Sequence, residues 1–248
     1  MEQTWARLTF LHWSYDPAVV QAQLPDGLRV ETFDDRAWVG LVPFFMHVRL
    51  PHGRDLGRLT CFPETNVRTY AVDADGNHGV WFLSLDATNL PAVLCGRGGY
   101  AVPYHWSQMQ VQTLGDIAAY SCRRRWPGPC PARSEVAVRI GELYAPGELT
   151  DFDHWLTARF RLFANPWDRG LRYALAEHDV WPLHRAEVLH VDDTLVTAAG
   201  LPAPVGDPVV HWSPGVDVRI GLPHRLVSPT APVQCSADGN PRDLPRPP

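Results

Sequence analysis

The residues best suited to chemistry fall in one short run, Phe62-Pro63-Glu64-Thr65-Asn66-Val67-Arg68-Thr69-Tyr70. Side chains alternate along an extended strand, so Glu64, Asn66, Arg68 and Tyr70 share one face. A carboxylate, an amide, a guanidinium and a phenol together can move a proton and hold an anion. On pattern alone, a solvated face carrying a Glu64–Arg68 ion pair accounts for the same four residues equally well. The next run, Val80-Trp81-Phe82-Leu83-Ser84-Leu85-Asp86, is apolar on both faces until Ser84, as a central buried strand would be. Such a strand is an odd neighbour for a fully solvated one. Trp81 is then a candidate wall residue, and Asp86 either a binding group or a cap of the next turn.

A missing residue type restricts the chemistry further. All 22 basic residues are arginine. A guanidinium does not shed its proton near neutrality, so imine formation through a lysine amine is excluded. A glycine-rich phosphate loop of the lysine type is excluded for the same reason. No Gly-x-Ser-x-Gly elbow is present, and Cys95-Gly96-Arg97-Gly98-Gly99 breaks the dinucleotide-binding pattern. His178, His184 and His190 recur at a spacing that fits neither a helical metal pair nor alternate strand positions, so no metal and no cofactor are expected. His12, within Phe10-Leu11-His12-Trp13, reads first as a core histidine and second as a cavity residue.

The elements that must position these residues are mostly short strands between Pro and Gly punctuation. Strands are expected at 28–32, 37–45, 108–113, 118–122, 136–143, 187–191 and 216–222, with a hairpin joining 65–72 to 80–85. Asp16-Pro17 opens a helix with Asp as cap and Pro at its first position. Thr150 caps a second helix, expected over Asp151–Phe163, whose Phe152, Trp155, Leu156, Phe160 and Phe163 form a core stripe. The Arg123-Arg124-Arg125 run reads as a solvated turn. From about Ser228 the chain becomes Pro-rich, so a single folded domain is expected over 1–227 and a disordered tail over 228–248.

With 45% hydrophobic and 20% charged residues, the composition is that of a globular protein. A net charge of -5 argues against a nucleic-acid partner. No stretch approaches the ~20 apolar residues of a membrane span. Five scattered cysteines without a Cys-x-x-Cys pair, and an N-terminus without a signal-like run, favour a reduced, cytoplasmic setting.

Several ordered blocks carry a resemblance. They are Phe10-Leu11-His12-Trp13, Leu24-Pro25-x-Gly27-Leu28, Ala37-Trp38-Val39-Gly40-Leu41-Val42-Pro43-Phe44, Asn66-Val67-Arg68-Thr69-Tyr70, Val102-Pro103-Tyr104, Trp181-Pro182-Leu183 and Ser213-Pro214-Gly215-Val216. Together they resemble the YqjF-like family of uncharacterised proteins, which is similar to the acetoacetate decarboxylase-like superfamily. The resemblance runs from about residue 5 to residue 222. It implies an α+β, β-rich fold: an antiparallel β-barrel or sandwich around a small-molecule cavity, with a few flanking helices. In the decarboxylase a Pro-Lys-Lys block supplies the Schiff-base lysine; the block most like it here is Pro103-Tyr104-His105.

That departure implies a lysine-independent enzyme acting on a small carbonyl- or carboxylate-bearing substrate by enolisation, dehydration, cyclisation or a related lyase or isomerase step. Specialised metabolism is a possible setting, and a homo-oligomer is compatible with the chain. Glu64 is the expected base, raised toward neutrality by burial, and Tyr104 the expected oxyanion donor. His105 is a candidate acid, although only one of two consecutive strand residues can face a cavity. Arg68, Asn66, Tyr70, Trp81, Asp86 and His12 are the candidate substrate-binding residues. The enzyme reading requires Glu64, Arg68 and Tyr104 to converge. The alternative, a non-catalytic ligand-binding barrel, expects an apolar cavity whose polar groups satisfy one another.

Overall fold

A computed structural model describes residues 1–49, 57–165 and 170–226. The expected tail at 228–248 lies outside the described residues. In chain order the strands are β1 (Glu2–Tyr15), β2 (Leu28–Val30), β3 (Thr32–Phe33), β4 (Arg36–Arg49), β5 (Cys61–Asp73), β6 (His78–Ala87) and β7 (Tyr104–Leu114). There follow β8 (Ile117–Trp126), β9 (Arg133–Leu143), β10 (Arg161–Ala164), β11 (Arg172–His178), β12 (His184–Asp193), β13 (Val209–Ile220) and β14 (His224–Arg225). The helices are short: α1 (Pro17–Gln21), α2 (Leu90–Cys95), α3 (Asp151–Thr157) and α4 (Leu195–Ala198).

The strands β13, β1, β4, β5 and β6 lie side by side as a central layer. From β6 the ladder returns to β13 by two routes, one through β7, β8, β9 and β12 and the other through β10 and β11, so the sheet is ring-like. One face of the central layer buries Leu11, Val39, Leu41 and Val67 against Met109, Tyr120 and Val138. The opposite face buries Leu8, Phe10, Phe44 and Phe62 against Ala174, Ala176 and Trp181. Because both faces are covered, β1 carries Leu8 and Phe10 on one face and Leu11 and Trp13 on the other, and the period-two signal of a half-buried strand is missing there. This explains why the sequence gives no strand signal for β1. The antiparallel sheet expected is interrupted at two parallel junctions, β6 with β7 and β6 with β10.

Local chemistry sets the helix starts. The Asp16 side chain accepts from the Ala18 N–H at 2.8 Å, and Pro17 follows it. At α3, Thr150 and Asp153 exchange side-chain and backbone bonds as a capping box. The helix stops at Thr157, six residues short of the expected Phe163. The chain instead enters β10, where Leu162 and Phe163 pair with Val80 and Trp81. Phe160, expected in the core stripe, is largely exposed, and Phe163 is buried on Leu28 and Ala71. A short helix gains little per residue from its own hydrogen bonds, so an available strand edge overrides the helical pattern.

The Arg123–Arg125 run is a second correction. It lies within β8 and not in a turn, so alternation exposes Arg123 and Arg125 and buries Arg124.

Candidate functional site

Glu64 and Tyr104 come from strands on either side of β6. Pairing sets Glu64 opposite Ala87 and Tyr104 opposite Leu85, and the two side chains meet across β6. The Tyr104 hydroxyl donates to Glu64 Oε2 at 2.8 Å. Glu64 is only 2% exposed. Burial raises its carboxyl to about 8; the Tyr104 hydrogen bond opposes that rise and the charge of Asp86 adds to it. Burial, and then the Glu64 charge, push the Tyr104 phenol well above its usual range.

Both residues line a cavity of about 380 Å³ between the central layer and the β10–β11 pair. Its walls are mainly apolar, with Trp5, Met46, Phe62, Phe82 and Leu162 among them. Space is left where the side chains are small: Ala92, Gly96, Ala164 and Ala174. Gly96 also seats the tyrosine, because a Cβ there would lie 2.6 Å from Tyr104 Cε2. The local backbone makes this approach possible. Helix α2 runs into a widened turn over Gly96–Tyr100 that ends at Ala101 in the left-handed region, with φ 53°. Sequence reasoning saw Gly96 only as part of a broken nucleotide motif; its role depends on a ring that approaches from another strand.

The other candidates are distributed differently. Arg68 shares the Glu64 face but does not line the cavity. Its guanidinium lies 5.4 Å from the Phe10 ring centre, and Nη2 is 3.5 Å from the Leu156 carbonyl. Arg68 and Asn66 instead wall a separate void of about 30 Å³ that also touches Glu64. Glu64 and Tyr104 therefore meet in the larger cavity, whereas Arg68 meets Glu64 only at the smaller void. Tyr70 and His12 belong to the core. The Tyr70 hydroxyl donates to the Leu156 carbonyl at 2.5 Å, so the His12 Nε2–H, at 2.7 Å, donates to the Tyr70 oxygen. Burial, followed by the nearby Arg68 charge, lowers His12 well below its ordinary value and leaves it neutral. The pair fixes the last turn of α3.

Trp81 faces away, packed with Leu28, Ala71 and Phe163. Asp86 is neither a ligand group nor a cap. It accepts from Arg124 Nε at 2.9 Å, from Arg124 Nη2 at 2.7 Å and from the Ser107 hydroxyl at 2.7 Å, in a pair with no exposed side-chain surface. His105 points to the face opposite Tyr104, as strand alternation demands, and its Nδ1 is 2.9 Å from the Pro127 carbonyl. It is buried next to Arg124, and both influences lower its pKa. One cavity residue that sequence reasoning missed is Arg172 of β11. Its signal was the alternation Arg172-x-Ala174-x-Ala176, readable only once the inward face of β11 is known.

Among the described residues, no three His, Cys, Asp or Glu side chains are grouped to hold a metal ion. Cys95, Cys122 and Cys130 are free thiols. No helix among the described residues is long and apolar enough to cross a membrane.

A ring-like, β-rich sheet around an apolar cavity is the acetoacetate decarboxylase-like fold. Acetoacetate decarboxylase from Legionella pneumophila superposes over 92% of this chain and 87% of its own, with a TM-score of 0.62 at 13% identity. The enduracididine biosynthesis enzyme MppR, complexed with pyruvate, superposes over 90% of this chain and 89% of its own, with a TM-score of 0.59 at 13% identity. Within that fold the chain belongs to the DUF2071 family, described as an uncharacterized conserved protein, whose model matches residues 2–217. The uncharacterized protein YqjF of Bacillus subtilis is 32% identical over 219 residues, covering 88% of this chain and 89% of that one.

Proposed function

We propose that this protein is a small-molecule enzyme that moves a proton next to a substrate carbonyl without forming an imine. One observation carries the reading: a buried carboxyl with its pKa near 8, hydrogen-bonded to a phenol on the wall of an apolar cavity. In its ionised form Glu64 takes a proton from the carbon beside the carbonyl. The C–H electron pair passes to the carbonyl oxygen as an enolate, toward which Tyr104 turns its O–H. The Glu64 carboxyl trades that proton with solvent and delivers one back to the same carbon, which completes exchange; delivery to the vinylogous carbon of a conjugated enolate gives isomerisation. The fold relatives support carbonyl substrates, since one is a decarboxylase of a β-keto acid and another is complexed with pyruvate. Without a lysine, this chain cannot follow the decarboxylase in using an imine as the electron sink.

A second reading, a non-catalytic ligand-binding barrel, is favoured by the apolar lining and by Glu64 and Tyr104 satisfying each other. Solvent deuterium exchange at the α-carbon of 1,3-diketones and β-keto acids, followed by NMR, separates the two. Catalysed exchange that vanishes in Glu64→Gln supports the enzyme. Binding of the diketones without exchange assigns the cavity to storage or presentation of a ligand.

A further inference from the structure

We propose that Arg172 is the anion anchor of the cavity, so that its ligands carry a carboxylate at the Arg172 end and an apolar body extending toward Glu64 and Tyr104. This rests on the cavity being the ligand site. On β11, Arg172 shares the inward face with Ala174 and Ala176, both buried. The small neighbours leave the long side chain beside open space. Across the ladder Arg172 pairs with Ala164, another small wall residue.

Arg172 Nε is buried without a hydrogen-bond acceptor, and among the described residues no carboxylate forms an ion pair with this guanidinium. Of the three buried arginines among the described residues, Arg68 also has no carboxylate partner and rests against the Leu156 carbonyl and the Phe10 ring, whereas the other two are ion-paired. Arg124 has Asp86 and Arg159 has Glu31, each within 2.7 Å. A partly buried cation without a counter-ion is costly, and a carboxylate accepting two parallel N–H bonds would relieve that cost. Glu64, the one Asp or Glu on the cavity wall among the described residues, does not compete for the role at neutral pH, because burial keeps it protonated there. The cavity volume of about 380 Å³ lies at the lower end of the range for small-ligand sites, roughly 300–1,000 Å³. A carboxylate with a short aliphatic or aromatic body fits both the charge and the lining.

The test uses the full chain at pH 7 with octanoate and 1-octanol as probes, with affinities read by calorimetry. Octanoate is expected to bind the wild type at least about tenfold more tightly than 1-octanol, and to lose at least about tenfold in Arg172→Gln. Arg225→Gln, on the neighbouring strand β14 and exposed, is expected to bind octanoate like the wild type. Equal affinity of the wild type for the two probes would overturn the proposal, and needs no variant. Undiminished octanoate binding by Arg172→Gln would overturn it as well. Octanoate carries no ketone, so this outcome is separable from the proton-transfer reading. Octanoate binding with no diketone exchange sinks the enolisation reading alone, and exchange without carboxylate preference sinks the anchor alone.

Discussion

The Tyr104 phenol and the Glu64 carboxyl share one hydrogen bond of 2.8 Å across β6, and burial pushes both acids upward. Tyr104 therefore keeps its proton through the physiological range, and the group that changes charge near neutrality is Glu64. The hydrogen bond favours the ionised carboxylate, so the phenol holds Glu64 lower than burial alone would.

If Glu64 is the base, exchange at a substrate α-carbon depends on its ionised fraction. The rate is expected to climb with pH, about tenfold per unit, and to level off above about 8. A rate that falls through the same range would make Glu64 an acid instead, and a pH–rate profile with a neutral diketone decides it.

Tyr104→Phe removes the donor that favours the carboxylate. The inflection of the same profile is expected to move to higher pH, and exchange at pH 7 to fall by about 10–100-fold. An unchanged inflection would mean that the hydrogen bond does not influence Glu64.

The same titration governs stability. Glu64 holds its proton in the folded state up to about 8, whereas its ordinary value is 4.5. Between these values the unfolded chain releases a proton that the folded chain retains, so stability falls as pH rises from 4.5 to 8 and changes no further above that. Glu64→Gln keeps an acceptor for Tyr104 and removes the titration. Urea unfolding is expected to show no gain for the variant at pH 4 and a gain of about 3 kcal/mol at pH 7.

Gly96→Ala is expected to displace the Tyr104 ring, since the added carbon would lie 2.6 Å from Cε2. Exchange should fall by about 100-fold, with a loss of stability of about 1–3 kcal/mol. Gly98→Ala, where nothing lies within 4 Å of the added carbon, serves as the control.

Asp86 and Arg124 bind each other without exposed side-chain surface. Asp86→Ala should cost about 3–5 kcal/mol in urea unfolding by leaving Arg124 buried and unpaired. Pairing Asp86→Leu with Arg124→Met should recover most of that loss. An additive double variant would show that the ion pair is not the source.

The sequence alone was sufficient for whatever depends on neighbouring residues. The absence of lysine excluded an imine, Asp16-Pro17 and Thr150-x-x-Asp153 marked two helix starts, and the alternation from Glu64 to Tyr70 set four side chains on one face. Alternation likewise dictated that Tyr104 and His105 must part. How far along that shared face the cavity extends was a tertiary matter. It stops after Glu64, because Tyr70 and Arg68 are drawn to the carbonyl of Leu156 at the end of α3, nearly ninety residues away in the chain. Asp86 read as a binding group or a turn cap until β8 delivered Arg124 to it, and nothing local marks Arg172 before β10 and β11 close over the cavity. Periodicity reports which side of a strand a residue occupies; the partner on that side is fixed only by long-range pairing, through contacts whose energies do not exist in the isolated segment.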